Sequence, residues 1–170
     1  MRFTQKHMIV PFILGSKSDL DHAKEIAKIL DDYGVKHEIY VSSAHKVPEK
    51  TLEIIQNFNE KKESVVFVTI AGRSNALSGL VSANTHFPVL ACPPFKDYAD
   101  YLANIHSSLQ MPSETPALTV VDPKNAGQAV VRILALTDKD LAKKVRNHTK
   151  VVQNLFDVKP THFSALKNNE

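Results

Sequence analysis

Apolar runs alternate with amphipathic segments along this chain. Met8–Leu14 is apolar and stops at Gly15, which predicts a buried strand. Over residues 19–33, Leu20, Ala23, Ile26, Ala27 and Leu30 recur at three- and four-residue spacing. That spacing predicts a helix, and Gly34 stands where a C-terminal cap belongs. Residues 37–42 read as a second strand. Pro48 suits the first turn of a second helix, whose apolar face carries Leu52, Ile55 and Phe58. Residues 65–70 are β-branched or aromatic without polar alternation except at Thr69, as a central strand requires. A short helix over 77–83, a strand over 89–92, a helix over 98–109, a fifth strand over 118–121 and a helix over 125–136 follow. A final amphipathic helix over 138–157 places Leu141, Val145, Val152 and Phe156 on one side. The polar tail 160–170 is expected to fray.

Five short apolar strands separated by helices predict right-handed crossovers and a parallel sheet covered on both faces. The expected architecture is a three-layer α/β domain, flavodoxin-like or Rossmann-like. A chain of 170 residues fits one such domain spanning 1–170, with its core over 8–136. No repeat, low-complexity stretch or internal linker divides it. In sheets of this kind ligands bind beyond the carboxyl ends of the strands, near the switch in strand order. That rule selects the turns after Leu14, Ser42, Ile70 and Cys92.

Composition changes this picture little. Hydrophobic residues make up 43% and charged residues 23%, ordinary for a soluble globular protein. The net charge of +3 could suit an anionic ligand, although a solvated surface is the better reading of it. Without a basic tract or basic–aromatic stripe, no nucleic-acid partner is expected. Cys92 is the single cysteine, which excludes an internal disulfide and a cysteine-based metal cluster. It sits in an apolar run, where a buried small residue is a better reading than a nucleophile. The run at 8–14 is short, contains Pro11 and precedes no small-residue cleavage site, which argues against a signal peptide. No later stretch could span a membrane, and the expected compartment is the cytoplasm.

The selected turns hold the polar residues. Gly15, Ser16, Lys17, Ser18 and Asp19 combine a glycine after a strand, two hydroxyls and a helix N-terminus, a natural seat for phosphate. Asp19 would repel phosphate and better accepts hydrogen bonds from ribose hydroxyls; alternatively Ser18 or Asp19 is only an N-cap. Neither a GxGxxG fingerprint nor a P-loop is present. Ser43, Ala44, His45 and Lys46 put an imidazole beside a cation, an acid–base and anion-binding pair. Gly72, Arg73, Ser74 and Asn75 follow the most buried strand. Arg73 there needs a carboxylate or phosphate, from a ligand or from a salt bridge. Cys92, Pro93, Pro94 and Phe95 form a stiff turn that either walls a pocket or merely ends a strand. Gln110, Met111 and Pro112 read as a loop over a neighbour's pocket or as an ordinary connection.

The segments GSKSD (15–19), SAHK (43–46), AGRSN (71–75), the prolines 93–94 and QMP (110–112) resemble the purine-biosynthetic phosphoribosylaminoimidazole carboxylase family, in that family's order. The resemblance runs from Met8 to Leu136. The mutase branch of the family typically reads SAHR and a glycine-rich AGAGGAAH with a second histidine. Here Lys46 replaces the arginine, Arg73, Ser74 and Asn75 replace the glycines, and Ser78 or a neighbour stands near the second histidine's place. These departures resemble the class II branch, which includes the carboxylase portion of the animal bifunctional enzyme and takes carbon dioxide directly.

The resemblance implies carboxylation of 5-aminoimidazole ribonucleotide at C4, without cofactor, ATP or metal. It implies that Ser16, Ser18 and Lys46 hold the 5′-phosphate with the first helix's N-terminus, that Asp19 takes the ribose hydroxyls and that Gly15 belongs to the substrate site. Ser43, Ala44, Gly72, Ser74 and Asn75 complete the substrate site. Arg73 restores the planar donor that Lys46 lacks, or steadies the carboxylate together with the 72–74 amides. His45 moves the ring proton, imidazole being the side chain that ordinarily titrates near neutrality. The family's octamer would bring Gln110, Met111 and Pro112 over a neighbour's pocket, with Glu114 where a glycine often follows. The competing expectations are an N5-carboxyaminoimidazole ribonucleotide mutase on the same fold and a non-catalytic flavodoxin-like binding module. A flavin carrier is a third, poorly served by a chain without tryptophan.

Overall fold

A computed structural model describes residues 8–157. The tail expected to fray, 160–170, lies outside the described residues. Five helices of eight residues or more and two shorter ones pack on a parallel sheet. The strands are β1 (Met8–Leu14), β2 (Lys36–Val41), β3 (Ser64–Val65), β4 (Phe67–Ile70), β5 (Val89–Ala91) and β6 (Leu118–Thr119). They run in the order β2-β1-β4-β5-β6, with β3 also paired to β1.

The expected strand 65–70 is split, and Pro11 explains the split. Ile9 pairs with Val65 and Phe12 with Val68, so the two pieces keep one register along β1. Between them the facing stretch of β1 contains Pro11, which has no N–H to give the ladder. The central position of β1 is tolerated because the partner strand gives way there.

Residues alternate along β1 between two cores, as the strand period of two demands. Val10, Phe12 and Leu14 pack with Ile26, Leu30, Val130 and Val131, from α1 (Leu20–Tyr33) and α6 (Pro123–Leu134). Ile9 and Ile13 pack with Ile55, Phe58 and Val81, from α2 (Pro48–Asn59) and α3 (Ala76–Ala83). Both faces of the sheet are therefore covered, and ligands have access only at its ends. Gly34 closes α1 in the left-handed conformation at φ 73, as its position predicts.

Three helices depart from expectation. The helix expected over 98–109 is two, α4 (Tyr98–Asn104) and α5 (His106–Leu109), interrupted at the buried Ile105. Beside the break, Ser107 Oγ lies 2.9 Å from the Asn104 carbonyl and 2.6 Å from that of Arg73, competing with the helical ladder. Helix α6 begins two residues earlier than expected, because Asp122 caps it by accepting from Asn125 N at 2.7 Å and Pro123 fills its first turn. The C-terminal helix α7 (Lys139–Asn154) is capped by Asp138 and buries Leu141, but Val152 and Phe156 are exposed. Among the described residues no helix is long and apolar enough to cross a membrane.

Candidate active site

The turns at the carboxyl ends of β1, β2, β4 and β5 enclose one open cleft of about 700 Å³. Gly15, Ser16, Ser18, Asp19, Ser43, Ala44, His45, Lys46, Gly72, Arg73 and Ser74 all line it. The cleft therefore opens at the sheet edge that the strand-end rule selects.

The first turn is held in place from both sides. Gly15 N donates to the Ile70 carbonyl at 2.9 Å, tying the end of β1 to that of β4. Lys17–Asp19 forms a single 3-10 turn with Ser16 as its N-cap. Ser16 Oγ accepts from Ser18 N at 3.2 Å and from Ser18 Oγ at 2.9 Å, while Asp19 Oδ2 accepts from Ser16 N at 2.9 Å. The cap is thus Ser16 and not Ser18, and Asp19 stands at the N-cap of α1 without a side-chain cap bond to that helix; all three residues line the cleft. Burial raises the Asp19 carboxyl above its ordinary value, against the opposing hydrogen bonds from Ser16 and Ser18 and the nearby His22.

The second turn leaves β2 through buried Ser42, whose Oγ lies 2.8 Å from Thr51 Oγ1 on α2. Lys46 N and Val47 N both donate to the Ser43 carbonyl, at 3.2 and 2.9 Å. This tight corner presents His45 and Lys46 as exposed neighbours at the cleft rim.

In the third turn Arg73 has φ 53, the left-handed region that suits glycine. Its carbonyl faces Ser107 Oγ, and Asn75 N donates to the same oxygen at 3.1 Å. Asn75 itself does not line the cleft. It is buried as the N-cap of α3, where Oδ1 accepts from Ser78 N and Ser78 Oγ and Nδ2 donates to Ser108 Oγ at 2.9 Å. Its place is in a polar network that sets the Arg73 turn.

The fourth turn supplies a wall. A Cβ on Gly72 would lie 3.2 Å from the Pro94 carbonyl oxygen, so the third and fourth turns are nearly in contact. Pro94 and Phe95 line the cleft, and so do Lys96 and Asp100, which sequence reading missed by stopping at Phe95. Ala71 and Leu77 complete the apolar floor. Cys92 is fully buried, its thiol pushed up to about 12 by burial, with Sγ 3.3 Å from His22 Nε2. It is a packing residue.

Gln110, Met111 and Pro112 do not reach their own chain's cleft. They line a separate, largely apolar groove of about 560 Å³ beside α3, sharing only Ala44 and Ser74 with the cleft.

Chemically, the cleft offers three cations, Lys46, Arg73 and Lys96, against two carboxylates, Asp19 and Asp100. None of the three cations has an ion-pair partner among the described residues, so Arg73 makes no salt bridge there. His45 is the one imidazole lining the cleft among the described residues. Such an arrangement can bind an anionic ligand and move one proton. No cluster of three metal-ligating side chains occurs among the described residues.

The fold matches that of known proteins closely. The crystal structure of Treponema denticola PurE superimposes with a TM-score of 0.79 at 36% identity, covering 90% of this chain and 99% of that one. The shared class is thus a flavodoxin-like α/β domain with a parallel sheet and a long C-terminal helix. The sequence model of the family described as AIR carboxylase matches residues 9–154, and the chain belongs to that family of enzymes. A phosphoribosylaminoimidazole carboxylase of Archaeoglobus fulgidus is 52% identical over 133 residues, which is 78% of this chain and 72% of that protein. A bifunctional phosphoribosylaminoimidazole carboxylase/phosphoribosylaminoimidazole succinocarboxamide synthetase of Drosophila melanogaster is 36% identical over 91% of this chain and 35% of its own length.

Proposed function

We propose that this chain carboxylates 5-aminoimidazole ribonucleotide at C4 with carbon dioxide, without ATP or metal, as a class II member of its family in the cytoplasm. The observation that carries the reading is the position of His45. It is the one imidazole among the described residues lining a cleft that also holds the Ser16–Asp19 turn, Lys46 and Arg73. One proton-transfer group beside one anion seat is what the reaction needs.

The 5′-phosphate binds the hydroxyls of Ser16 and Ser18 and the Lys46 ammonium, with Gly15, Ser43 and Ala44 shaping the seat. Lysine contacts phosphate as a point charge, and Arg73 on a neighbouring turn adds a planar, forked donor. Asp19 accepts the ribose hydroxyls. The ring then lies toward the Gly72–Ser74 turn, with Asn75 holding that turn from beneath.

The aminoimidazole is an enamine, so its C4 attacks the carbon of carbon dioxide. A C–C bond forms, one C–O π pair moves to oxygen, and the ring holds the positive charge as an amidinium. C4 is then sp³ and carries both the proton and the new carboxylate. His45 removes that proton, the C–H pair restores the aromatic ring, and the Gly72–Ser74 amides steady the carboxylate. Gln110, Met111 and Pro112, which lie outside their own cleft, cover that of a neighbour in an octamer.

Purified protein supplied with aminoimidazole ribonucleotide and bicarbonate, with a chelator and no ATP, should form the C4-carboxylated product. His45→Asn should lower turnover by roughly 10²–10⁴-fold while ribonucleotide still binds. A wild type that binds the ribonucleotide and never turns it over is a binding module, and the reading fails.

A further inference from the structure

Carboxylation adds one negative charge to a ligand that already carries a phosphate, at the opposite end from that phosphate. The cleft has a cation for each end. In the strand order β2-β1-β4-β5, the phosphate seat proposed above belongs to β1 and β2, whereas Lys96 follows β5. Strands lie about 4.8 Å apart, which sets the β5 turn roughly 10 Å from the β1 turn and roughly 14 Å from the β2 turn. A ribonucleotide whose phosphate rests at Ser16 and Lys46 extends its base toward β4 and β5. Lys96 is therefore on the base side.

Its backbone is fixed while its side chain is free. Lys96 N donates to Asp100 Oδ2 at 3.0 Å, and Asp100 Oδ1 accepts from Asn104 Nδ2 at 2.7 Å. Asp97 caps α4 by accepting from Asp100 N at 2.8 Å, and the Phe95 ring packs edge-on against Tyr101 at 5.2 Å. These contacts clamp the residues on both sides of Lys96. Lys96 is exposed, lines the cleft and has no ion-pair partner among the described residues. Asp100, on the same wall, is occupied by the two donors named above and so serves the clamp.

We propose that Lys96 is a specificity-determining residue of this cleft, recognising the carboxylate that the reaction installs and so distinguishing carboxylated from uncarboxylated ribonucleotide. The inference rests on the carboxylation reading. Lys46 meets the charge common to both ligands, and Lys96 meets the charge that only one has.

The test is calorimetric binding of aminoimidazole ribonucleotide and its C4-carboxylated form to wild type, Lys96→Met and Lys96→Arg. Lys96→Met should weaken the carboxylated ligand by about tenfold, the scale of a hydrogen bond to a charged group, and leave the other ligand within about twofold. Lys96→Arg should restore most of the preference. Lys143→Met makes the same charge change on α7 and should alter neither ligand. Equal weakening of both ligands in Lys96→Met would make Lys96 part of a general positive field, and no change would leave it outside the site; either overturns the inference. A wild type that converts neither ligand to the other defeats the carboxylation reading itself, and this inference with it. A wild type that converts them while Lys96→Met keeps the full preference defeats the inference alone.

Discussion

Asp19 accepts a hydrogen bond from the backbone N–H of Ser16 at 2.9 Å, so the carboxylate facing the cleft also closes the turn that shapes it. That double duty is carried out partly out of water, and burial raises the carboxyl above 3.8. The folded protein therefore holds this proton to higher pH than the unfolded chain does. Asp19 contributes stability below pH 3.8, and the contribution is lost as pH rises through the raised folded value. Urea unfolding of wild type and Asp19→Asn across that window should show the wild type losing ground as pH rises. A constant difference, or one of opposite slope, contradicts this account of the turn.

His22 behaves with the opposite sign. Burial lowers its imidazole below 6.5, against the opposing pull of Glu25, Asp19 and Asp122 and of its contact with Cys92, so the unfolded chain binds the proton first as pH falls. Stability present above pH 6.5 is lost on acidification toward the lowered value. His22→Gln should flatten this part of the stability–pH curve. An unchanged acid limb would mean that other groups set it.

Arg73 sits at φ 53, where glycine is at ease and arginine is not. A left-handed residue costs about 1–2 kcal/mol, and glycine's greater freedom in the unfolded chain returns part of any relief. Arg73→Gly should thus raise stability by about 0.5–1 kcal/mol by thermal or urea unfolding. Carboxylation should fall in the same variant, because the forked cation is gone. Loss of stability together with activity would show that the Arg73 side chain supports the fold and that the backbone is not strained for function.

Gly127 lets α6 approach α1, and a Cβ there would stand 2.7 Å from Ile29 Cβ. Alanine favours a helix by close to 1 kcal/mol over glycine, yet the overlap must push apart two packed helices. Gly127→Ala should therefore destabilise by about 1–3 kcal/mol, with kcat unchanged at temperatures where the variant is folded. A neutral or stabilised variant would mean that the helices can separate cheaply.

Much of this architecture was legible because burial writes period into sequence. The Leu20–Leu30 spacing, the Gly34 cap and the apolar run of β1 all depend on nearby residues and were readable. Contacts between distant residues were not. Pro11 sits in a central strand, and its effect falls on the partner strand more than fifty residues later, where 65–70 divides. The Asp122–Pro123 start of α6 is local and was readable in principle. The cleft followed from the strand-end rule together with the polar content of four turns. Asn75 looked like a cleft residue by its place after Arg73, yet its partners Ser78 and Ser108 draw it into the interior. Lys96 and Asp100 went unseen because nothing in the sequence shows that the fourth turn continues along the cleft wall.

The central claim is direct use of carbon dioxide, and the order of addition tests it most directly. Reactions of the wild type with aminoimidazole ribonucleotide, without ATP, are started either with dissolved carbon dioxide or with an equal amount of bicarbonate. The carbon dioxide start should give a fast initial phase that relaxes to the bicarbonate rate, and carbonic anhydrase should make the two traces coincide. Product that forms only from the N5-carboxylated ribonucleotide, at a rate indifferent to carbon dioxide, would contradict the account and assign the cleft to the mutase reaction.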